Sequence, residues 1–224
     1  MKKIIYLGLL LSIGACKKPH CPEPLPTSDS ISVPTSHVIT LQPGIEGKDA
    51  HLSSLTPTEN SGTATFLHVS AWTVNGNLDL TKGIIQFDYS SIPTGAKITK
   101  ATLTFFADTI LNNAGWIGHS QLSGSNDWTL KRVTQAWNES TVTWANAPTT
   151  DPTNILKCAT STSNFENYVL DVTSFVQDEI SHPTAYFGFL MQINNEVPYR
   201  AINFCSSDNQ DVTLHPKIVI EYTK

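Results

Sequence analysis

The stretch Ile84-Ile85-Gln86-Phe87-Asp88-Tyr89-Ser90-Ser91-Ile92-Pro93-Thr94-Gly95-Ala96-Lys97-Ile98-Thr99-Lys100-Ala101-Thr102-Leu103-Thr104-Phe105 decides the fold class. It holds two apolar stripes of period two on either side of a Pro-Thr-Gly break. Ile85, Phe87 and Tyr89 make the first stripe; Ala101, Leu103, Phe105 and Ala107 make the second, with Lys100, Thr102 and Thr104 opposite. Successive side chains of a strand point to opposite faces, so this alternation describes two half-buried strands joined by a turn. Ile98 falls on the wrong parity for the second stripe, which predicts a bulge near Thr99.

The same pattern recurs outward along the chain. Phe187, Phe189, Met191 and Ile193 form a stripe, as do Ile218, Ile220 and Tyr222, and residues 65–72 and 128–135 read as further strands. Asn75-Gly76 is the dipeptide that a tight hairpin favours, because both central positions need positive φ. One helical segment stands out: Val172, Val176 and Ile180 repeat at i, i+4 and i+8 behind Thr173 as its cap. Regular strands without βαβ alternation predict an all-β fold, an antiparallel jelly-roll β-sandwich with one short helix.

Composition agrees and excludes several functions. The chain has 224 residues, of which 40% are hydrophobic and 15% charged, with a formal net charge of −5. That is too apolar and too weakly charged for a disordered chain. The acidic balance argues against a nucleic-acid binder, which needs a basic face. Thr and Ser number 27 and 21, which suits the solvent faces of strands in an extracytoplasmic domain.

The N-terminus reads as an address. Met1-Lys2-Lys3 precedes an apolar run from Ile4 to Ile13, too short to span a bilayer but suited to a secretory signal. The run ends Ile13-Gly14-Ala15-Cys16, which resembles a bacterial lipobox with Cys16 as the acylated new N-terminus. Acyl chains at about 0.8 kcal/mol per buried methylene would hold the protein to a membrane. Removal of Lys2 and Lys3 would take the charge to −7. Five prolines between residues 19 and 34 disfavour helix and central strand and describe an extended tether. The expected organisation is 1–15 signal peptide, 16–36 Pro/Ser/Thr-rich tether and 37–224 sandwich. The expected location is a bacterial cell envelope, lipid-anchored at the outer membrane and facing the periplasm or the surface. In such an oxidising compartment Cys158 and Cys205 are the candidate disulfide, and Cys21 is left over in the tether.

Four segments in order resemble the DNRLRE domain family. The first is the central block from Lys82 to Leu103, including Phe87-Asp88, Ile92-Pro93 and Gly95-Ala96. The second is Trp137-Asn138-Glu139-Ser140-Thr141-Val142-Thr143-Trp144-Ala145-Asn146-Ala147-Pro148. Asp171-Val172-Thr173 and the closing Phe204-Cys205-Ser206-Ser207 with His215-Pro216-Lys217-Ile218 complete the set. The resemblance implies a β-sandwich of secreted and surface proteins, found beside polysaccharide-degrading enzymes. Some such domains are carbohydrate-binding modules with acidic polysaccharides such as alginate among their ligands.

Catalytic and metal patterns are weak. Gly118-His119-Ser120-Gln121-Leu122 begins like a serine-hydrolase elbow, but Leu122 stands where the turn needs Gly. No histidine spacing matches a zinc site. Asp208-Asn209-Gln210-Asp211 offers oxygens of the kind calcium takes, but a polar turn is the favoured reading, so no cofactor is expected. Asp88 and Asp171 read as turn-fixing carboxylates. Glu139 lies in a segment that reads as structural rather than as one of a catalytic pair.

Sugar recognition needs an aromatic face for the pyranose ring and polar groups for its hydroxyls. Trp116 lies in the loop Asn112-Asn113-Ala114-Gly115-Trp116-Ile117-Gly118, which has no strand alternation. Tyr199-Arg200 places a ring beside a cation at a strand start, and Trp72 and Lys82 flank the Asn75-Gly76 hairpin. These five are the candidate ligand contacts. Trp137 and Trp144 read as core. The expected function is a non-catalytic envelope lipoprotein that binds polysaccharide or another glycan. The competing expectation is a structural or adhesive envelope module that binds a protein partner.

Overall fold

The computed structural model describes residues 34–44, 46–110 and 118–224. The expected signal peptide, most of the tether, Cys16, Cys21 and Trp116 lie outside the described residues. Along the chain come β1 (Ser36–Leu41), β2 (Gly47–Ser53), β3 (Phe66–Val74), β4 (Asn77–Phe87), β5 (Lys97–Phe105) and β6 (Ser120–Gln121). They are followed by β7 (Trp128–Val133), β8 (Thr150–Cys158), β9 (Tyr168–Asp171), α1 (Thr173–Ser181), β10 (Phe189–Ile193), β11 (Arg200–Cys205) and β12 (Lys217–Thr223). A 3-10 turn at Val212–Leu214 precedes β12.

The strands build a β-sandwich. One sheet has the order β1-β12-β5-β9; the larger runs β6-β11-β3-β4-β10-β7-β8, with β2 also paired to β4. Every strand pairing among the described residues is antiparallel. Between the sheets lies a core built from the stripes read in the sequence. Ile85 and Phe87 of β4, Leu103 and Phe105 of β5, Phe189 and Met191 of β10, and Ile218 and Ile220 of β12 are all buried there. Phe105 stacks on Phe204 at 4.9 Å between ring centroids, and Trp128 packs on both.

Local signals land where the sequence put them. Glu221 pairs with Lys100 and Tyr222 with Ile98, so Thr99 is the extra residue of a bulge, its hydroxyl on the Glu221 carbonyl at 3.0 Å. Asn75 (φ 50°) and Gly76 (φ 80°) form the two-residue turn between β3 and β4. The helix is present, but Thr173 is inside it and Val172 is the N-cap, without a side-chain cap. Instead the Thr173 hydroxyl donates to Asp171 (2.6 Å) and accepts the Ala101 N–H (2.9 Å), tying the helix start to β5.

Two expectations are corrected. Phe187 does not share the stripe of Phe189: Gly188, at φ 88°, reverses the alternation, and a Cβ there would meet the Ile85 carbonyl at 2.2 Å. Phe187 instead packs on a second cluster with Leu52, Ile84, Val133, Trp137, Val142 and Leu190. The Cys158–Cys205 bridge is not formed, and both are free, buried thiols. Cys158 ends β8 and Cys205 ends β11, with four strands between them in the sheet order. Their sulfurs turn to different carbonyls, Leu156 at 4.0 Å and Ala107 at 3.8 Å, and burial pushes both thiols up to about 12.

Candidate functional site

The β3–β4 hairpin and the start of β11 meet at an aromatic corner. Arg200 is in register with Ala71, which sets the preceding Tyr199 beside Trp72. The two rings pack edge to face, with centroids 5.2 Å apart and planes at 89°. Trp72 is half-buried and Tyr199 is 43% exposed.

Tyr199 occupies the left-handed backbone region, at φ 77°. A bulky residue is rare there, and the strain is of order 1–3 kcal/mol. Three hydrogen bonds hold it. Its N–H donates to the Ala71 carbonyl (2.8 Å), its carbonyl accepts from the Ser120 hydroxyl (3.2 Å), and its phenol oxygen accepts from Thr73 Oγ1 (3.2 Å). The result is a fixed aromatic surface with hydroxyls at its edge, the combination that meets both the apolar face and the rim of a sugar ring.

The other expected contacts divide. Arg200 is corrected: it is only 8% exposed and turns inward, its guanidinium donating to the Ser123 carbonyl (2.7 Å) and the Asn195 carbonyl (3.3 Å). It braces two loops rather than offering a cation beside Tyr199. Lys82 is half-buried and sets its ammonium 4.4 Å over the Trp144 ring, away from the sequence neighbourhood of the corner. Burial lowers its pKa, Glu196 raises it and Lys131 lowers it.

A second aromatic region was read as structural, and its packing explains why. Residues 137–147 cover the outer cluster on β2, β4 and β10. The Trp137 indole N–H donates to the Phe187 carbonyl at 3.0 Å, and the Lys48 ammonium lies 4.4 Å over its ring while also donating to the Trp137 carbonyl. Glu139 Oε1 accepts the Asp49 N–H (2.8 Å), so this carboxylate fastens the covering segment to β2. Asp49 is nearly fully buried, and desolvation pushes its carboxyl up to about 7.

The weak catalytic motif resolves into scaffolding. His119 is buried; its Nδ1 accepts the Asn203 N–H (3.0 Å), so Nε2 carries the proton that goes to the Glu166 carbonyl (2.8 Å). Ser120 spends its hydroxyl on Tyr199, and Leu122 is 79% exposed. Asp88 and Asp171 accept from backbone N–H groups two residues on, as turn-fixing carboxylates do. Asp211 likewise caps the 3-10 turn through the Thr213 N–H at 3.0 Å. Among the described residues no group of three or more His, Cys, Asp or Glu could hold a metal ion.

Sequence reasoning missed the Thr73 and Ser120 contacts to Tyr199. Both residues are small hydroxyls among 48 in the chain, and only the pairing of β11 with β3 and β6 selects them.

Comparison with known proteins bears on the family of the chain. A search of curated proteins gives no match to the chain. Residues 43–222, nearly the whole sandwich, match the model of carbohydrate-binding module family 96. The chain belongs to carbohydrate-binding module family 96.

Proposed function

We propose that the protein is a non-catalytic glycan-binding module that holds polysaccharide at the Trp72–Tyr199 corner. The observation that carries this reading is Tyr199: exposed, strained, and fixed at backbone and hydroxyl alike. Strained backbone persists where the surroundings over-determine it, and such residues gather at ligand clamps. A pre-set ring loses little freedom on binding, so more of its contact appears as affinity.

The N-terminal sequence supports anchoring of this module in a bacterial envelope. Cys16 would carry the acyl chains, and the Pro-rich segment after it would hold the sandwich away from the membrane. The resemblance to DNRLRE domains agrees with an extracytoplasmic module that acts beside polysaccharide-degrading enzymes. Incorporation of labelled palmitate into the wild type and its loss in Cys16→Ser tests the anchor.

Affinity gel electrophoresis tests the binding. The protein is run through gels holding alginate, pectin, xylan or mixed-linkage β-glucan. Retardation on at least one polymer is expected, and free migration on all of a broad panel would remove the glycan-binding reading.

A further inference from the structure

The charges around the Trp72–Tyr199 corner decide which glycans can approach it. Trp72 is paired directly across the β3–β4 hairpin with Asp79. Direct opposites on antiparallel strands share a face, with Cβ atoms ~4.5–5.5 Å apart. The Asp79 side chain is half-buried, and its Oδ1 accepts from Ser53 Oγ (2.8 Å), the Leu55 N–H (3.2 Å) and Ser54 Oγ (3.4 Å). A fixed carboxylate therefore stands beside the indole.

A uronate site needs the reverse, a Lys or Arg within reach of the sugar carboxylate. Among the described residues, the cations that lie over rings do so elsewhere: Lys48 on Trp137, Lys82 on Trp144, Arg132 on Phe175 and Tyr186, and Lys217 on Phe106. Arg200 turns to the Ser123 and Asn195 carbonyls and acts electrostatically on Asp127. Glu196, on the segment leading to Tyr199, is matched by Lys82. Asp79 makes no ion pair among the described residues. It acts instead on His51, whose pKa desolvation lowers, so that imidazole is uncharged at neutral pH. The exposed residues nearest in sequence to the two rings, Val74, Leu78 and Val197, are apolar.

Asp79 acts in opposite ways on two kinds of glycan. A carboxylate only accepts hydrogen bonds, so it takes hydroxyl donors from a sugar but not a second carboxylate. A uronate also brings like charge to a chain whose net charge is already −5. An amino sugar would be attracted by the same group. The line therefore falls between acidic glycans and all others.

We propose that the corner takes a glycan without acidic groups and turns away uronate polymers, with Asp79 as the selecting contact. The proposal rests on reading the corner as the glycan site and names the class of glycan it holds.

Affinity gels holding mixed-linkage β-glucan, galactomannan, unsubstituted xylan, alginate or polygalacturonate test it, run with the full chain and with Tyr199→Ala. At least one neutral polymer should retard the wild type in a Tyr199-dependent way, and both acidic polymers should bind at least tenfold more weakly. Added salt screens repulsion, so any residual uronate binding should grow with ionic strength. Asp79→Asn keeps an acceptor for Ser53 and Leu55, so its melting temperature should stay near that of the wild type. It should narrow the neutral-over-acidic ratio threefold or more, whereas a purely structural Asp79 would leave the ratio unchanged and overturn the proposal. Tyr199-dependent retardation on alginate or polygalacturonate equal to that on the neutral polymers would also overturn it, yet leave the corner as the glycan site. No retardation on any polymer, or retardation that Tyr199→Ala leaves intact, would remove the corner itself and the proposal with it.

Discussion

Trp137 and Tyr199 both pack on strands of the larger sheet, and they are treated in opposite ways. Trp137 is 9% exposed, its N–H satisfied by Phe187 and its ring covered by the Lys48 ammonium. Tyr199 is 43% exposed, held in a strained backbone conformation with its ring packed edge to face with Trp72. In the first region polar groups close over aromatic surface; in the second they hold aromatic surface open. An aromatic residue alone therefore says little about binding, and the direction of its hydrogen bonds says a great deal.

The comparison breaks first at Trp137. Trp137→Ala should destabilise the protein by about 3–5 kcal/mol, the cost of emptying a large aromatic site. Urea unfolding would measure this, and polymer retardation of the folded fraction should be unchanged. A stable variant would mean that the covering segment is not structural.

Burial also makes the covered region pH-sensitive. The Asp49 carboxyl is raised to about 7 by desolvation, with Glu139 and Asp208 adding repulsion against the hydrogen bonds from Ser207. A carboxyl raised on folding binds its proton more tightly in the native state. Its contribution is thus full below pH ~4, declines as pH rises, and is lost above about 7. A shift of this size corresponds to about 4 kcal/mol at most. Asp49→Asn keeps an acceptor for the Ser207 N–H and should flatten the decline, leaving the variant more stable than wild type at pH 8. Thermal melts across pH 4–8 check this, and parallel curves for the two proteins would contradict it.

Tyr199→Gly sharpens the other side of the comparison. Glycine accepts positive φ without penalty, so relief of about 1–3 kcal/mol of strain offsets the lost ring contact. Melting temperature should change little, while polymer affinity falls tenfold or more. A variant that binds as the wild type does would remove the ring from the site. The smallest expected effect is Lys82→Ala, which removes one cation–π contact with Trp144 and should cost about 1 kcal/mol or less. Its polymer retardation should match that of the wild type.

Much of the sandwich was legible because strand faces are written locally. The stripes of β4, β5, β10 and β12, the bulge at Thr99 and the Asn75-Gly76 turn each depend on a few neighbouring residues. β8 was not legible, since its residues are mostly half-buried or exposed and show no clean alternation. The free thiols and the inward turn of Arg200 were hidden for another reason. Each depends on which strands become neighbours, and period two states a face without stating a partner. Of the corner, Trp72 and Tyr199 were visible as residues, but their contact follows from the register of β11 on β3.

The central claim is that glycan is held at the Trp72–Tyr199 corner. The most direct measurement is a nitrogen-15 chemical-shift titration of the protein with defined tetrasaccharides of mannuronate, guluronate, xylose and β-1,4-linked glucose. At least one should move the backbone signals of Trp72, Thr73, Ser120 and Tyr199, and Tyr199→Ala should abolish those movements. Shifts confined to the Lys82–Trp144 face, or no shifts with any of the four, would contradict it.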